Sequence, residues 1–180
     1  LRSLLPGTNS FWTFDRILEL EDDLGVRSAF YFLSEQRLFW DRPPREWLTT
    51  EGWRLFAGRY SLDDRRIRDL IAELDAGGWE VGLHGSYESP TDRERLAAEK
   101  RAVERVLGKP VRGGRQHYLR HSQPETWAHH QAIGLDYDCS LGSADSYGFE
   151  HGYSIKRPFD DAFVVFPLSI MELALPNVET

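Results

Sequence analysis

The chain has 180 residues, the size of one ordinary domain and enough to bury a substantial core. Its 22 Lys and Arg against 29 Asp and Glu give a net charge of −7, so we expect no nucleic-acid partner and no anionic membrane surface, both of which need a basic face. The longest apolar run, 162–168, contains Pro167 and is far shorter than the ~20 residues of a membrane span.

Targeting and redox signals are few. No charged segment followed by an apolar one opens the chain, which predicts a cytoplasmic protein. The single Cys139 excludes an internal disulfide and is expected to be a small core residue. The chain begins without Met, and 171–176 closes no helix, so we expect a piece of a longer protein.

The first third of the chain predicts a helix, a strand and a long connection. Apolar residues at near-helical spacing predict a helix over 13–24, which Gly25 ends. The nearly all-apolar run 26–33 is typical of a strand covered on both faces. Residues 34–60 contain Pro43-Pro44 and three Trp, and they predict a long, aromatic-rich excursion of functional rather than disordered character.

The rest of the chain alternates helices with strands. Each predicted helix begins at a capping residue: Ser61 for the first, Thr91 with Glu94 for the second, and Ser122 with Glu125 for the third. The predicted strands are one ending at His84 and those at 111–116, 136–141 and 163–168, with a polar loop at 142–161.

Strict alternation predicts parallel strands joined by helical crossovers, either in an open doubly wound sheet or in a barrel. No G-x-G-x-x-G follows a predicted strand, which disfavours dinucleotide binding. In both architectures ligands and catalytic groups gather at the carboxyl ends of the strands. The polar residues at the predicted strand ends are therefore the candidates for chemistry.

The first candidate group is His84 and Glu88. An imidazole and a carboxylate four residues apart both reach one metal ion when the segment between them turns helically, and both are ligands of zinc, iron or nickel. The alternative is a hydrogen-bonded structural histidine followed by a solvated glutamate.

The second group follows the strand at 111–116. Arg115, Gln116, His117, Tyr118 and Arg120 are too rich in hydrogen-bonding groups to be buried without partners. Arg could hold a carboxylate or orient an acidic base, and His and Tyr could act as acid or donor groups. The alternative is a solvated loop at the edge of the protein.

The third group lies within 138–149. Asp145 is a candidate base or sugar-binding acceptor in the loop. Ser140 lacks the G-x-S-x-G setting of a serine hydrolase. His129 and His130 occupy adjacent helical positions, cannot face one ion together, and are predicted to lie at the surface.

Together these segments resemble the polysaccharide deacetylase-like (NodB-homology, carbohydrate esterase 4) superfamily. The resemblance is carried by VRSAFYFL at 26–33, EVGLHGSYES at 80–89, GRQHYLRHSQPETW at 114–127, LDYDCSLGSADSYGF at 135–149 and FPLSIMELAL at 166–175. It covers nearly the whole chain. It implies one domain over 1–180 with an α/β fold, a distorted, incomplete (β/α) barrel that lacks its first and last strands.

The resemblance also implies a mechanism. In that superfamily an Asp and two His hold a divalent ion, often zinc, whose bound water attacks an N-acetyl carbonyl, while a second Asp acts as base and a strand Arg orients it. His84 matches the first histidine, Glu88 stands where the second belongs, and Arg115 matches the strand Arg. The first-strand Asp-Asp pair and the late Leu-x-His motif are missing, so we expect them beyond 1–180 and expect the chain itself to be inactive.

The leading hypothesis is a metal-dependent, deacetylase-like hydrolase that cleaves the acyl C–N bond of an amino sugar or polysaccharide, with a zinc ion as cofactor. Its predicted catalytic residues are Arg115, His117 and Asp145, its metal ligands His84 and Glu88, and its sugar-binding residues Ser86, Tyr87, Gln116, Tyr118 and Arg120. One alternative is an inactive carbohydrate-binding or scaffold domain, favoured by Glu88 and the six Trp. Another is a metal-free hydrolase that uses Glu88 or Asp145 as acid or base.

Overall fold

In the computed structural model, which describes residues 12–160 and 162–171, helices and strands alternate as the sequence predicts. The α-helices are α1 (Phe14–Leu24), α2 (Leu38–Asp41), α3 (Thr50–Phe56), α4 (Arg65–Ala76), α5 (Arg93–Leu107) and α6 (Glu125–Ala132), with 3-10 helices at Pro44–Leu48 and His117–Leu119. The strands are β1 (Ala29–Leu33), β2 (Glu80–Gly85), β3 (Gly113–Gln116), β4 (Tyr137–Asp138) and β5 (Val164–Val165).

The five strands form one parallel sheet in the order β1-β2-β3-β4-β5. Because crossovers between parallel strands are almost always right-handed, strands in sequential order place their connecting helices on one face of the sheet, which is the arrangement of a (β/α) barrel. A doubly wound sheet would reverse its strand order at a switch point. Within the described residues the sheet does not close, and the predicted incomplete (β/α) barrel is confirmed.

The main core lies between the sheet and its helices. Leu74 of α4, and Leu96 and Val103 of α5, are completely buried against Leu83 of β2 and its neighbours. Each such side chain contributes about 1.5–3 kcal/mol by leaving water. The apolar stripes that predicted these helices are therefore the surfaces that hold them on the sheet.

Three of the predicted helix starts are wrong by one to three residues. Asp64 caps α4 by accepting a hydrogen bond from Arg66 N at 2.8 Å, and Asp92 caps α5 by accepting one from Arg95 N at 3.0 Å. A carboxylate at this position satisfies a free N–H and also interacts favourably with the helix dipole, so aspartate displaces the nearby Ser61 and Thr91. Helix α6 follows Pro124, with no side-chain cap from Ser122.

The excursion at 34–60 folds into two short helices, a 3-10 helix and a small core of its own. Leu38, Leu55 and Phe56 are buried there, with Trp47 and Tyr87 packed against them. Tyr87 belongs to the turn after β2, so the excursion covers that turn. None of the helices in the described ranges is long and apolar enough to cross a membrane.

Candidate functional site

The carboxyl ends of β2 and β3 bring the first two predicted groups together. His84 and Arg115 are direct neighbours in the parallel register of these strands. The loop after β4 returns to the same end of the sheet, where Leu168 N donates to Leu141 O at 2.7 Å and Gly148 N to Ser169 O at 2.6 Å. We call the region of His84, Arg115 and the 3-10 helix His117–Leu119 the rim.

A chain of nitrogen contacts runs through the rim. His84 Nε2 lies 3.0 Å from His117 Nδ1, and His117 Nε2 lies 2.9 Å from Arg59 Nη2. A guanidinium only donates, so His117 Nε2 is the acceptor and its proton sits on Nδ1, from which it is donated to His84 Nε2. Arg59 is itself fixed by a hydrogen bond from Nε to Leu55 O at 2.6 Å.

The surroundings keep both imidazoles neutral. Burial lowers the pKa of His84 to about 3, helped by His117 and by the positive charges of Arg115 and Arg59. Burial also lowers the pKa of His117 to about 4, with a further contribution from Arg59. A histidine with such a pKa is uncharged at neutral pH and is available for hydrogen bonding rather than ion pairing.

Sequence reasoning missed Arg59. It lies 58 residues from His117, inside the aromatic-rich excursion, and no motif surrounds it. Only the folding of the excursion over the turn after β2 brings its guanidinium to the rim. The excursion is thus part of the candidate site.

Three predicted sugar-binding residues form one cluster beside His117. The guanidinium carbon of Arg120 lies 4.4 Å from the centre of the Tyr87 ring, and Arg120 Nη1 donates to Tyr87 O at 2.7 Å. The Tyr118 ring packs edge-on against Tyr87 at 6.0 Å and lies 4.4 Å from His117, centre to centre. Tyr118 has φ = 58°, a left-handed conformation that side-chain-bearing residues rarely adopt and that recurs at functional sites.

Glu88 faces guanidinium groups. Its two carboxylate oxygens accept from Arg42 Nη1 and Nη2 at 2.9 and 3.1 Å, and Arg95 Nη1 lies 3.1 Å from Oε2. The hydrogen bonds from Arg42, followed by the charges of Arg42, Arg95 and Arg120, hold the pKa of Glu88 below its usual value against a smaller opposing effect of burial. The carboxylate is ionised and already occupied.

The described residues do not fit the metal that the resemblance implies. Over 12–160 and 162–171 no group of three or more His, Cys, Asp or Glu side chains could hold a metal ion. Both nitrogens of His117 are engaged, and Arg59 and Arg115 add positive charge next to the imidazoles. A zinc site needs three or four converging donors and no competing cation, so the zinc prediction depends on the resemblance alone.

Two further predicted sugar-binding residues lie in the interior. The Gln116 side chain is completely buried, with Nε2 2.9 Å from His130 Nε2 and Oε1 accepting from Ser89 Oγ at 3.3 Å. Gly85 makes room for it, because a Cβ there would lie 2.4 Å from Gln116 Oε1. Ser86 is also completely buried. Direct contact of either side chain with a sugar would require the rim to open.

His130, predicted to lie at the surface, is instead 1% exposed, and that prediction is wrong. Its Nδ1 lies 3.1 Å from Oδ2 of the fully buried Asp138. Asp138 also accepts from Trp127 Nε1 at 3.1 Å and from Ser140 N and Oγ at 2.9 and 2.6 Å. A buried carboxylate at the end of β4 needs such partners, and α6 supplies two of them.

Asp145 lies apart from this group. It is exposed, and its backbone N–H donates to Ser143 Oγ at 3.1 Å. No hydrogen bond in the described part of the chain joins it to His84 or His117. The structure therefore brings together His84, Arg115, His117 and the Tyr87–Tyr118–Arg120 cluster, while the catalytic role of Asp145 stays a prediction.

Comparison with known proteins gives matches of structure only. No family model and no curated protein sequence matches the chain. A protein of Mycobacterium smegmatis assigned as a polysaccharide deacetylase has a TM-score of 0.56 and 18% identity, over 88% of this chain and 46% of that one. PuuE allantoinase has a TM-score of 0.52 and 18% identity, over 89% of this chain and 45% of that one.

The chain thus spans about half the length of these two solved structures. Identity at this level concerns the fold, and both matches have an α/β barrel-like fold that accommodates the open parallel sheet seen here. The fold expected from the strand-end motifs is therefore confirmed: this chain has an incomplete (β/α) barrel fold, which it shares with a protein assigned as a polysaccharide deacetylase and with PuuE allantoinase.

Proposed function

We propose that the whole protein is a hydrolase of the polysaccharide deacetylase type, which removes an acyl group from an amino sugar by cleaving its C–N bond. The observation that carries the proposal is the pair of neutral imidazoles, His84 and His117, 3.0 Å apart at the carboxyl rim of the sheet and flanked by Arg59 and Arg115. Known ligand sites in barrels of this kind lie at that rim. The fold likeness supports the same reading.

The rim residues suit the stabilisation of developing negative charge. Hydrolysis of an amide turns its carbonyl oxygen into an oxyanion, which fixed donors and positive charges stabilise. The guanidinium of Arg115 is held by a hydrogen bond from Nε to Cys139 O at 3.2 Å and by stacking over Tyr31 at 5.2 Å. Because His84 Nε2 accepts from His117, a neutral His84 carries its proton on Nδ1 and can donate it to a carbonyl without giving it up.

We propose that the Asp base implied by the resemblance activates water from outside the described residues, because none of the groups at the rim is suited to that role. His84 and His117, with pKa values of about 3 and 4, are weak bases at neutral pH. Glu88 is occupied by Arg42 and Arg95. We therefore propose that the chain by itself binds the substrate but does not hydrolyse it. No step is assigned to a metal ion.

The test is acetate release from N-acetylated chito-oligomers and peptidoglycan by the full-length protein. Removing one oxyanion-stabilising group typically costs about 10²–10³ in kcat, so Arg115→Gln and His84→Gln should each lose activity on that scale. His151→Gln, in the loop after β4, is the matched control and should retain activity. No acetate release from any of these substrates, with and without added Zn²⁺, would overturn the proposal.

An exposed aromatic cluster favours a second candidate, a sugar-binding domain without catalysis. Phe39 lies 6.0, 5.6 and 5.3 Å, centre to centre, from Trp40, Trp47 and Trp53. Trp40 is 71% and Trp53 52% exposed, and exposed apolar patches of this kind mark interaction sites. Binding of chito-oligomers that is lost in Trp53→Ala but kept in Arg115→Gln, with no acetate release by the parent, would favour this candidate.

A further inference from the structure

Two buried carboxylates meet at the turn that follows His84. Glu99 Oε2, from α5, accepts a hydrogen bond from Ser86 N at 3.0 Å. Glu35 Oε2, from the connection after β1, accepts one from Tyr87 N at 2.9 Å. The two glutamates are 6% and 7% exposed. Consecutive backbone N–H groups of one turn are therefore held by acidic side chains from two different elements.

No basic side chain among the described residues lies within ion-pair distance of Glu99. Apart from burial, the largest influences on its pKa are hydrogen bonds from Ser86 and Ser89 of the turn and the charge of Glu35. The face of α4 toward the core is apolar, formed by Ile67, Leu70, Ile71 and Leu74. No Lys or Arg within the described ranges forms an ion pair with Glu99 or Glu35. An unpaired buried carboxylate is costly, and two close together are more so.

The Ser86 hydroxyl needs a partner. The side chain is completely buried, and its Oγ has no hydrogen-bond partner among the described residues, although the Glu99 carboxyl lies beside it. A serine hydroxyl can donate to an ionised carboxylate, so Ser86 by itself favours the anion of Glu99. Burial and the neighbouring carboxylate of Glu35 act in the opposite direction, and protonation of Glu99 removes the repulsion between the two carboxylates.

We propose that Glu99 is a positioning residue that works as a neutral carboxyl, holding the 86–89 turn and through it His84 and Tyr87 in their places at the rim. The turn follows His84 directly and carries the Tyr87 ring and carbonyl that Arg120 contacts. The proposal depends on the proposed function only in calling this rim the catalytic one.

The electrostatics of the carboxyl agree with that geometry. Burial, with a smaller contribution from Glu35, raises the pKa of Glu99 to about 7, against the opposing hydrogen bonds of Ser86 and Ser89. The neutral form therefore prevails below pH 7 and the anion above it. Ionisation places two buried negative charges at one turn, which loosens the turn and the rim.

The experiment follows the imidazole NMR signals of His84 and His117 in the full-length protein from pH 5.5 to 8.5. The two histidines have pKa values of about 3 and 4, so their own titration lies outside this range. In the parent protein the imidazole signals of His84 and His117 should shift as the pH rises, with a midpoint near pH 7. Glu99→Gln, which mimics the neutral carboxyl, should keep the low-pH signals throughout, and Glu99→Ala should lose them at every pH.

Two further variants test whether the neighbouring carboxylate of Glu35 influences the titration of Glu99. Glu35→Gln should move the midpoint to lower pH because it removes the neighbouring negative charge. Glu73→Gln, an exposed carboxylate of α4, is the matched control and should leave the midpoint unchanged. Signals in the parent that do not change with pH, a transition that persists in Glu99→Gln, or a Glu99→Ala spectrum identical to that of Glu99→Gln would each overturn the proposal.

Acetate release separates this proposal from the proposed function. If the NMR transition follows Glu99 while no variant or parent releases acetate, the hydrolase assignment fails and the positioning role stands. If the parent is active but Glu99→Gln changes neither the pH profile of kcat nor the imidazole signals, the positioning role fails and the hydrolase assignment stands.

Discussion

The buried network around Asp138 yields the most direct test of the structure. Replacing this residue by Asn keeps its size and one carbonyl oxygen but removes its negative charge. The carboxylate is completely buried and accepts from Trp127 Nε1 and from two donors of Ser140, with His130 Nδ1 3.1 Å away. The new amide group turns a donor toward partners that are themselves donors.

The expected cost follows from those contacts. Hydrogen bonds to a charged group contribute about 1.5–3 kcal/mol each, and leaving a buried polar group without its partner costs about 1–3 kcal/mol. Because Asn retains one acceptor oxygen, we expect Asp138→Asn to lower the free energy of unfolding by about 3 kcal/mol at pH 7. That is a large share of the roughly 5–15 kcal/mol that stabilises an ordinary domain.

The assay is urea unfolding followed by tryptophan fluorescence at several pH values. Hydrogen bonds and the interaction with His130 lower the pKa of Asp138 in spite of burial. The stability from this group is therefore complete above the unfolded pKa of about 3.9 and is lost as pH falls through the folded pKa. The difference between variant and parent should be constant from pH 8 to pH 5 and shrink below pH 4.

A matched control lies two residues away. Asp136 pairs with Arg112 at 2.5 Å on the exposed surface, so Asp136→Asn should change the free energy of unfolding by less than about 1 kcal/mol. A cost below about 1 kcal/mol for Asp138→Asn at pH 7, or an equal cost for the two variants, would refute the buried network.

Three other predictions concern the rim and the sheet. Arg59→Gln should raise the pKa of His117 above about 4, since the guanidinium charge lowers it, as measured by NMR titration. Leu83→Ala, in the middle of β2 and completely buried, should cost about 3–5 kcal/mol in urea unfolding. Gly113→Ala should cost at least about 1–3 kcal/mol by the same measurement, because a Cβ would lie 1.9 Å from the Tyr137 ring.

Exposed positions provide the controls for these variants. Arg65→Gln, on the surface of α4, should leave the pKa of His117 unchanged, and Leu20→Ala, 58% exposed on α1, should cost less than about 1 kcal/mol. An unchanged pKa in Arg59→Gln would contradict the Arg59–His117 contact. A cost for Leu83→Ala no larger than that for Leu20→Ala would contradict the packing of β2.

Only part of the candidate site could be predicted from the amino-acid sequence. The sequence predicted that His84 and Arg115 lie at the same edge of the sheet, because each follows an apolar strand and the carboxyl ends of parallel strands lie on the same side. The partners of Glu88 did not follow, because Arg42 and Arg95 lie 46 residues before and seven residues after it. The burial of Gln116 and His130 could not be predicted either, because a polar residue in a sequence is expected at the surface unless its hydrogen-bond partners are known.

The sequence alone determined the order of helices and strands, the parallel sheet and the strand ends where polar groups collect. These depend on local patterns: apolar spacing, Gly at helix ends and covered β-branched runs. Only the tertiary structure decided that Arg59 from the excursion completes the His84–His117 chain and that Glu35 and Glu99 hold the next turn. Such contacts join residues far apart in sequence, and a charged side chain gains a defined pKa and role only when folding has chosen its neighbours and removed its water.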